Sequence, residues 1–150
     1  MHASIGVSEL TGTTQPPTGD GSTISAARKR LDQAVLGFNR HALLVERYRA
    51  AVQRFTESRQ LYEAGAAERD SLRQAREGAA MYRAAVRTAV DEFVRRMREA
   101  GLAPEIALIA VKHRLALSVT ATTPAAPSLD AAALEIDVST WAIQAYYDAA

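Results

Sequence analysis

The chain has 150 residues, of which 48% are hydrophobic and 23% charged, a balance typical of a single globular domain. It contains no cysteine, which excludes disulfides, thiolate nucleophiles and cysteine-based metal sites. The net charge of +1 is unevenly distributed: residues 25–98 carry 16 cations and 9 acids, whereas residues 99–150 carry two cations and six acids.

Residues 1–24 are rich in Gly, Thr, Ser and Pro and show neither helical nor strand periodicity, which predicts a flexible leader. They lack the basic segment and the apolar stretch of a secretory signal. No part of the chain has the roughly 18 consecutive apolar residues of a membrane-spanning helix. We therefore expect a cytoplasmic protein.

The first predicted helix covers about residues 25–64, with Ser25 as its N-cap. Apolar side chains recur along it at spacings of three and four, as an amphipathic helix requires. A second apolar row beside the first makes this face wider than a strict coiled-coil seam, which favours a bundle over a lone coiled coil. The expected buried stripe is Leu31, Val35, Phe38, Ala42, Val45, Val52 and Phe55.

Residues 62–81 contain few large apolar side chains and could form the solvated tip of a hairpin. Gly65 is suited to end the first helix, and Ser71 with Gln74 forms a capping box that could begin a second. These signals predict an antiparallel hairpin whose second helix covers residues 71–100. The alternative is one unbroken helix about 110 Å long, because a single glycine costs only about 1 kcal/mol.

A corner is predicted after the second helix, with Gly101 as a left-handed cap and Pro104 in the first turn of a third helix. Residues 104–117 carry apolar side chains around nearly their whole circumference. Such a helix is expected to be buried on most faces, either within the bundle or in an oligomer interface.

The C-terminal part is predicted to be a linker followed by a helix on a tether. Residues 119–128 indicate an extended linker, and residues 129–148 form a helix with two neighbouring apolar stripes. The predicted organisation is therefore a leader at 1–24, a helical core at 25–118, the linker, and a docking helix at 129–150. This last helix could pack on its own chain or on a second copy.

The residues that could carry chemistry are scattered. His2, His41 and His113 do not cluster, and none has a second ligand at helical metal-site spacing. The chain contains no Glu-x-x-His, no Gly-x-Ser-x-Gly and no phosphate-binding glycine motif. We therefore expect no catalytic activity, no metal and no cofactor. A phosphotransfer-like or regulatory bundle acting through His41 or His113 is kept as an alternative.

Arginine outnumbers lysine sixteen to two. Guanidinium groups bind phosphate bidentately, although a genome rich in G and C would also favour arginine. Acids are interspersed among the cations, so nucleic-acid binding is the less favoured alternative. The clusters Arg28-Lys29-Arg30 and Arg95-Arg96 with Arg98 are where such binding would occur.

The sequence thus predicts an all-α, non-catalytic protein that binds other protein, as a homo-oligomer or as a subunit of a larger assembly. Large aromatic side chains with a polar tip are favoured as interface anchors. The candidate partner-binding residues are Trp141, Ile143, Tyr146 and Tyr147. The alternative is that the aromatic residues among them belong to the core of the last helix.

Overall fold

A computed structural model describes residues 19–57, 65–122 and 129–148. These residues form four α-helices, and the described ranges contain no β-strand. The predicted all-α class is confirmed. The helices are α1 (Gly19–Glu57), α2 (Gly65–Glu99), α3 (Pro104–Thr122) and α4 (Leu129–Asp148).

Helices α1 and α2 form an antiparallel hairpin. Arg30 near the start of α1 pairs with Glu92 near the end of α2. Halfway along α1, the ring of His41 lies over Gly78. This pairing confirms the predicted hairpin and contradicts the alternative of one unbroken helix. Residues 58–64, between the two helices in the sequence, lie outside the described ranges, and they include the predicted end of the first helix.

The predicted start of the second helix is wrong. Helix α2 begins at Gly65, so Gly65 does not end a helix and Ser71 is not an N-cap. A β carbon at Gly65 would lie 2.9 Å from the β carbon of Phe55, so glycine allows the two helices to approach closely here. Leu72 and Ala75 are buried against Val45. From Gly65 onwards, the expected solvated tip is therefore part of the contact between α1 and α2. Small side chains are enough to fill this contact because the two helices lie close together.

Helix α1 starts earlier than the sequence predicts. It begins at Gly19, and Ser25 lies inside the helix instead of capping it. Ile24 packs against the main core, a tertiary contact before the predicted start that the sequence does not indicate. Thr23 and Ile24 also line a small depression with Ala100 at the far end of α2. The rest of the predicted leader, residues 1–18, lies outside the described ranges.

Helix α3 extends to Thr122, into the predicted linker. Its last residues include β-branched valine and threonine, which lower helix propensity by only a few tenths of a kcal/mol each. Pro124 follows two residues after Thr122, and a proline disfavours the helical conformation at the residue before it. The remaining linker residues, 123–128, lie outside the described ranges.

The corner between α2 and α3 is confirmed. Gly101 has a φ of +86°, the left-handed conformation that glycine adopts without steric cost. The N–H of Leu102 donates to the carbonyl of Met97 at 3.0 Å, and the N–H of Gly101 donates to the carbonyl of Arg98 at 2.9 Å. These are the two hydrogen bonds of a Schellman cap. The chain then enters α3 at Pro104.

All four helices contribute to one main core. The predicted α1 stripe is buried as far as Val45, whereas Val52 and Phe55 are half-buried. Helix α4 packs on α2 and α3 of its own chain. None of the helices in the described ranges combines the length and apolarity needed to span a membrane. The largest fully buried side chains are Leu31, Val35, Val45, Val86, Val90, Val94, Val111, Leu134 and Val138.

Ion pairs also join the helices at the edge of this core. Arg114 on α3 donates two hydrogen bonds to Asp32 on α1, at 2.9 and 2.5 Å. These hydrogen bonds raise the pKa of the Arg114 guanidinium above its ordinary value. Arg83 on α2 pairs with Asp137 on α4 at 2.6 Å. Both pairs join residues more than 50 positions apart, so helical spacing in the sequence does not predict them.

Candidate functional site

The four predicted partner-binding residues of α4 divide into two groups. Trp141 is only 9% exposed and packs in the main core. Tyr146 is half-buried, and its hydroxyl donates to the carbonyl of Leu102 at 2.7 Å. Ile143 and Tyr147 are instead 50% and 62% exposed. The two buried aromatic residues therefore attach α4 to its own chain, and the other two are accessible.

The ring of Trp141 on α4 lies beneath two cationic side chains of α2. The guanidinium groups of Arg83 and Arg87 lie 4.9 and 5.5 Å from its ring centroid, within the range of cation–π attraction. One edge of Trp141 borders an open depression of about 570 Å³ that Arg95 and Asp148 also line. The tryptophan thus anchors α4 within the chain.

A row of apolar side chains points outward from α4. Ile136 is 71% exposed and lies seven residues before Ile143, which lies four residues before Tyr147. This spacing puts all three on one side of the helix, and we call them the α4 stripe. The other stripe of α4 fills the core through Leu134 and Val138. The sequence shows both stripes but does not indicate that the one containing Ile136 faces outward.

Helix α3 also has an outward apolar row. Ile106, Ile109 and Leu117 are 51%, 65% and 46% exposed, and we call them the α3 stripe. The inward side packs through Val111 and Leu115. The expectation that the bundle itself buries most of this helix is therefore wrong, because α1, α2 and α4 cover only one side. The alternative, that another chain covers the outward side, stays a prediction.

The two histidines of the described ranges have different surroundings. The Nδ1–H of His41 donates to the carbonyl of Gly37 at 2.9 Å, since a carbonyl can only accept. The His41 ring centroid lies 5.0 Å from that of Tyr82, with the ring planes tilted by 33°. His113 is exposed on the same side of α3 as Ile109. Within the described ranges no three His, Asp or Glu side chains are grouped so that they could hold a metal ion.

Some arginines of the two clusters identified in the sequence form contacts within the chain. Arg30 pairs with Glu92, and Arg96 pairs with Glu99 at 3.2 Å. The guanidinium of Arg98 lies 5.8 Å from the ring centroid of Tyr146. Neither cluster therefore forms a continuous uncompensated basic surface.

The α3 and α4 stripes are thus apolar surfaces on helices whose opposite sides are already packed in the bundle. No protein-family model matches the chain, and no curated protein or solved structure shows significant similarity to it.

Proposed function

We propose that this protein is a non-catalytic helical module that binds other protein, as a homo-oligomer or as a subunit of a larger assembly. The observation that supports this most is the α4 stripe. Its members Ile136, Ile143 and Tyr147 are all at least half exposed and share one side of a helix. This row covers about 16 Å of helix length, enough to receive a second helix along three turns.

The energetic argument is that such a stripe gains stability when it is covered. Burying apolar surface contributes about 25 cal/mol per Å². Single exposed apolar residues are common on protein surfaces and need no partner. Residues aligned at helical spacing can instead be buried together by one partner helix, as in helix-in-groove recognition. The α3 stripe supplies a second surface of the same kind, through Ile106, Ile109 and Leu117.

The test combines the mass of the full-length chain in solution with capture of partners. Multi-angle light scattering after gel filtration, at up to about 100 µM protein, detects self-association in the micromolar range. Cross-linking and pull-down from the source cell detect other protein partners. The variant Ile136→Glu with Ile143→Glu places charge on the α4 stripe, and we expect it to abolish the association that the unmodified chain shows.

The matched control places the same charges elsewhere. Ala84 and Ala85 are exposed on α2, so Ala84→Glu with Ala85→Glu adds equal charge outside both stripes. We expect this control to associate like the unmodified chain. An unmodified chain that is strictly monomeric and captures nothing would reject the proposal. Equal association of the unmodified chain and the α4-stripe variant would reject the assigned surface.

A further inference from the structure

Five arginines of α2 follow one side of the helix, and this row is not among the sequence predictions. They lie at successive spacings of four, three, seven and four residues, which keeps them on one side of an α-helix. They are Arg69, Arg73, Arg76, Arg83 and Arg87. Helix α4 occupies only one end of this row, where it contacts Arg83 and Arg87.

Towards the hairpin tip, the same row borders an open groove between α1 and α2. A depression of about 520 Å³ is lined by Val52 and Leu72 together with arginines from both helices. A second depression of about 270 Å³ extends it towards the start of α4. Arg49 and Arg76 line both depressions, so the two lie side by side. We call this surface the tip groove, defined by Arg49, Val52, Leu72, Arg73 and Arg76.

The contacts between α4 and α2 indicate what kind of surface this row of arginines suits. Helix α4 carries four acids and no cation. Its Asp137 pairs with Arg83, its Trp141 lies under the same guanidinium, and Leu134 fills the core beside them. An acidic amphipathic helix is therefore already bound at one end of the row, by one carboxylate–arginine pair at its edge and apolar contacts beneath.

The tip groove repeats this combination of arginines and apolar side chains, and two of its three arginines form no ion pair within the described part of the chain. Arg49 and Arg76 are exposed and form no ion pair among the described residues. Arg73 pairs with Asp70 at the surface. Leu72 and Val52 form an apolar floor. A guanidinium binds a carboxylate bidentately, so the groove combines anion recognition with apolar burial.

We propose that the tip groove binds an acidic amphipathic helix of a partner protein, with carboxylates on Arg49 and Arg76 and apolar side chains on Val52 and Leu72. A nucleic acid fits less well, because the floor is apolar and the acids Glu68 and Asp70 lie among the arginines. The tip groove shares no residue with the α3 and α4 stripes. Substitutions in the tip groove therefore test this proposal without changing the α3 and α4 stripes.

The test measures fluorescence anisotropy of a labelled peptide added to the full-length chain. The probe is a helical peptide of about 18 residues with leucine at i, i+3, i+4 and i+7 spacing and glutamate at the flanking positions. We expect a Kd of about 10–100 µM at physiological salt. A peptide of the same composition in scrambled order, and a duplex DNA of about 20 base pairs, are titrated alongside.

Two charge-matched double variants locate the binding. Arg49→Glu with Arg76→Glu should weaken peptide binding at least about tenfold, because repulsion replaces two ion pairs. Arg40 and Arg47 are exposed on the opposite side of α1 from Arg49, so Arg40→Glu with Arg47→Glu should change Kd by no more than about twofold. Circular dichroism confirms that both variants fold. Should the first unfold, Arg49→Gln with Arg76→Gln replaces it and should weaken binding in the same direction.

Four results would overturn the proposal. The first is no detectable binding of the leucine–glutamate peptide, and the second is equal weakening by both double variants. The third is equal binding of the scrambled peptide, because that would show that charge alone is recognised. The fourth is DNA that binds more tightly than the peptide and is released by the Arg49 and Arg76 substitutions.

Discussion

The ring of Tyr82 occupies the space that a β carbon at position 37 would need, so α1 and α2 meet where Gly37 lacks a side chain. The relationship is reciprocal. One turn further along α1, the ring of His41 occupies the corresponding space over Gly78 on α2. The two rings contact each other at a centroid distance of 5.0 Å. Each glycine thus receives an aromatic ring from the other helix, which sets the spacing and register of the hairpin.

Gly37→Ala should destabilise the protein, although alanine is the better helix former. The added β carbon would clash with the Tyr82 ring. Overpacking costs typically 1–3 kcal/mol, which outweighs the gain in helix propensity of about 1 kcal/mol. We expect the free energy of unfolding to fall by about 1 kcal/mol, measured by urea denaturation. In a Tyr82→Ala background the same change should stabilise the protein. A higher melting temperature for Gly37→Ala alone would contradict the packing described.

Gly101→Ala should also destabilise the protein, for a different reason. A β carbon at Gly101 would meet no atom within 4 Å, but the residue has a φ of +86°. This left-handed conformation costs a non-glycine residue about 1–2 kcal/mol. Thermal denaturation should show a lower melting temperature for Gly101→Ala. The melting temperature of Gly101→Asn should fall less than that of Gly101→Ala, because asparagine tolerates this conformation. Equal melting temperatures for the alanine variant and the unmodified chain would contradict the left-handed cap.

The Asp32–Arg114 pair should contribute more to stability than a surface pair of the same residue types. Its side chains are 32% and 24% exposed, against 51% and 69% for Asp70 and Arg73. A double-mutant cycle with alanine substitutions should give a coupling of about 1 kcal/mol for the first pair and about 0.5 kcal/mol or less for the second. Similar coupling energies for the two pairs would show that the greater burial of the Asp32–Arg114 pair does not strengthen its interaction.

The pH dependence of this pair follows from the raised pKa of Arg114. A cation with a raised folded-state pKa contributes full stability below its unfolded pKa and loses it only as the pH rises through the folded value. Both values lie far above neutrality. The Asp32–Arg114 coupling should therefore stay constant from neutral to mildly alkaline pH. A coupling that fell over this range would contradict the assignment.

Substitutions of Trp141 and of Tyr147 should affect stability and association differently. Trp141→Ala removes a side chain that is 9% exposed and should cost about 3 kcal/mol of unfolding free energy. Tyr147→Ala changes a residue that is 62% exposed and should cost about 0.5 kcal/mol or less. Chemical denaturation measures both. The proposed function predicts that Tyr147→Ala nevertheless weakens association of the folded protein. A large loss of stability for Tyr147→Ala would place that residue in the core.

How far the sequence predicts the candidate surface is clearest in α4. Its pattern predicts a helix with two apolar stripes, and the structure has that helix from Leu129 to Asp148. The sequence leaves Trp141 as either an interface anchor or a core residue of the last helix, and the structure buries it under Arg83 and Arg87. The spacing of the apolar residues alone does not show which of the two stripes faces the core. The choice depends on the surfaces of α2 and α3, which lie far away in the chain.

The sequence by itself determined the helical class and the corner at Gly101, and it favoured the hairpin over one unbroken helix, because helix periodicity and capping act between residues a few positions apart. Only the tertiary structure decided that α2 begins at Gly65, that Asp32 meets Arg114, and that Ile136 faces outward. Each of these depends on which distant side chains come within contact distance once the helices pack. That packing also places the tip groove and the α4 stripe on separate surfaces.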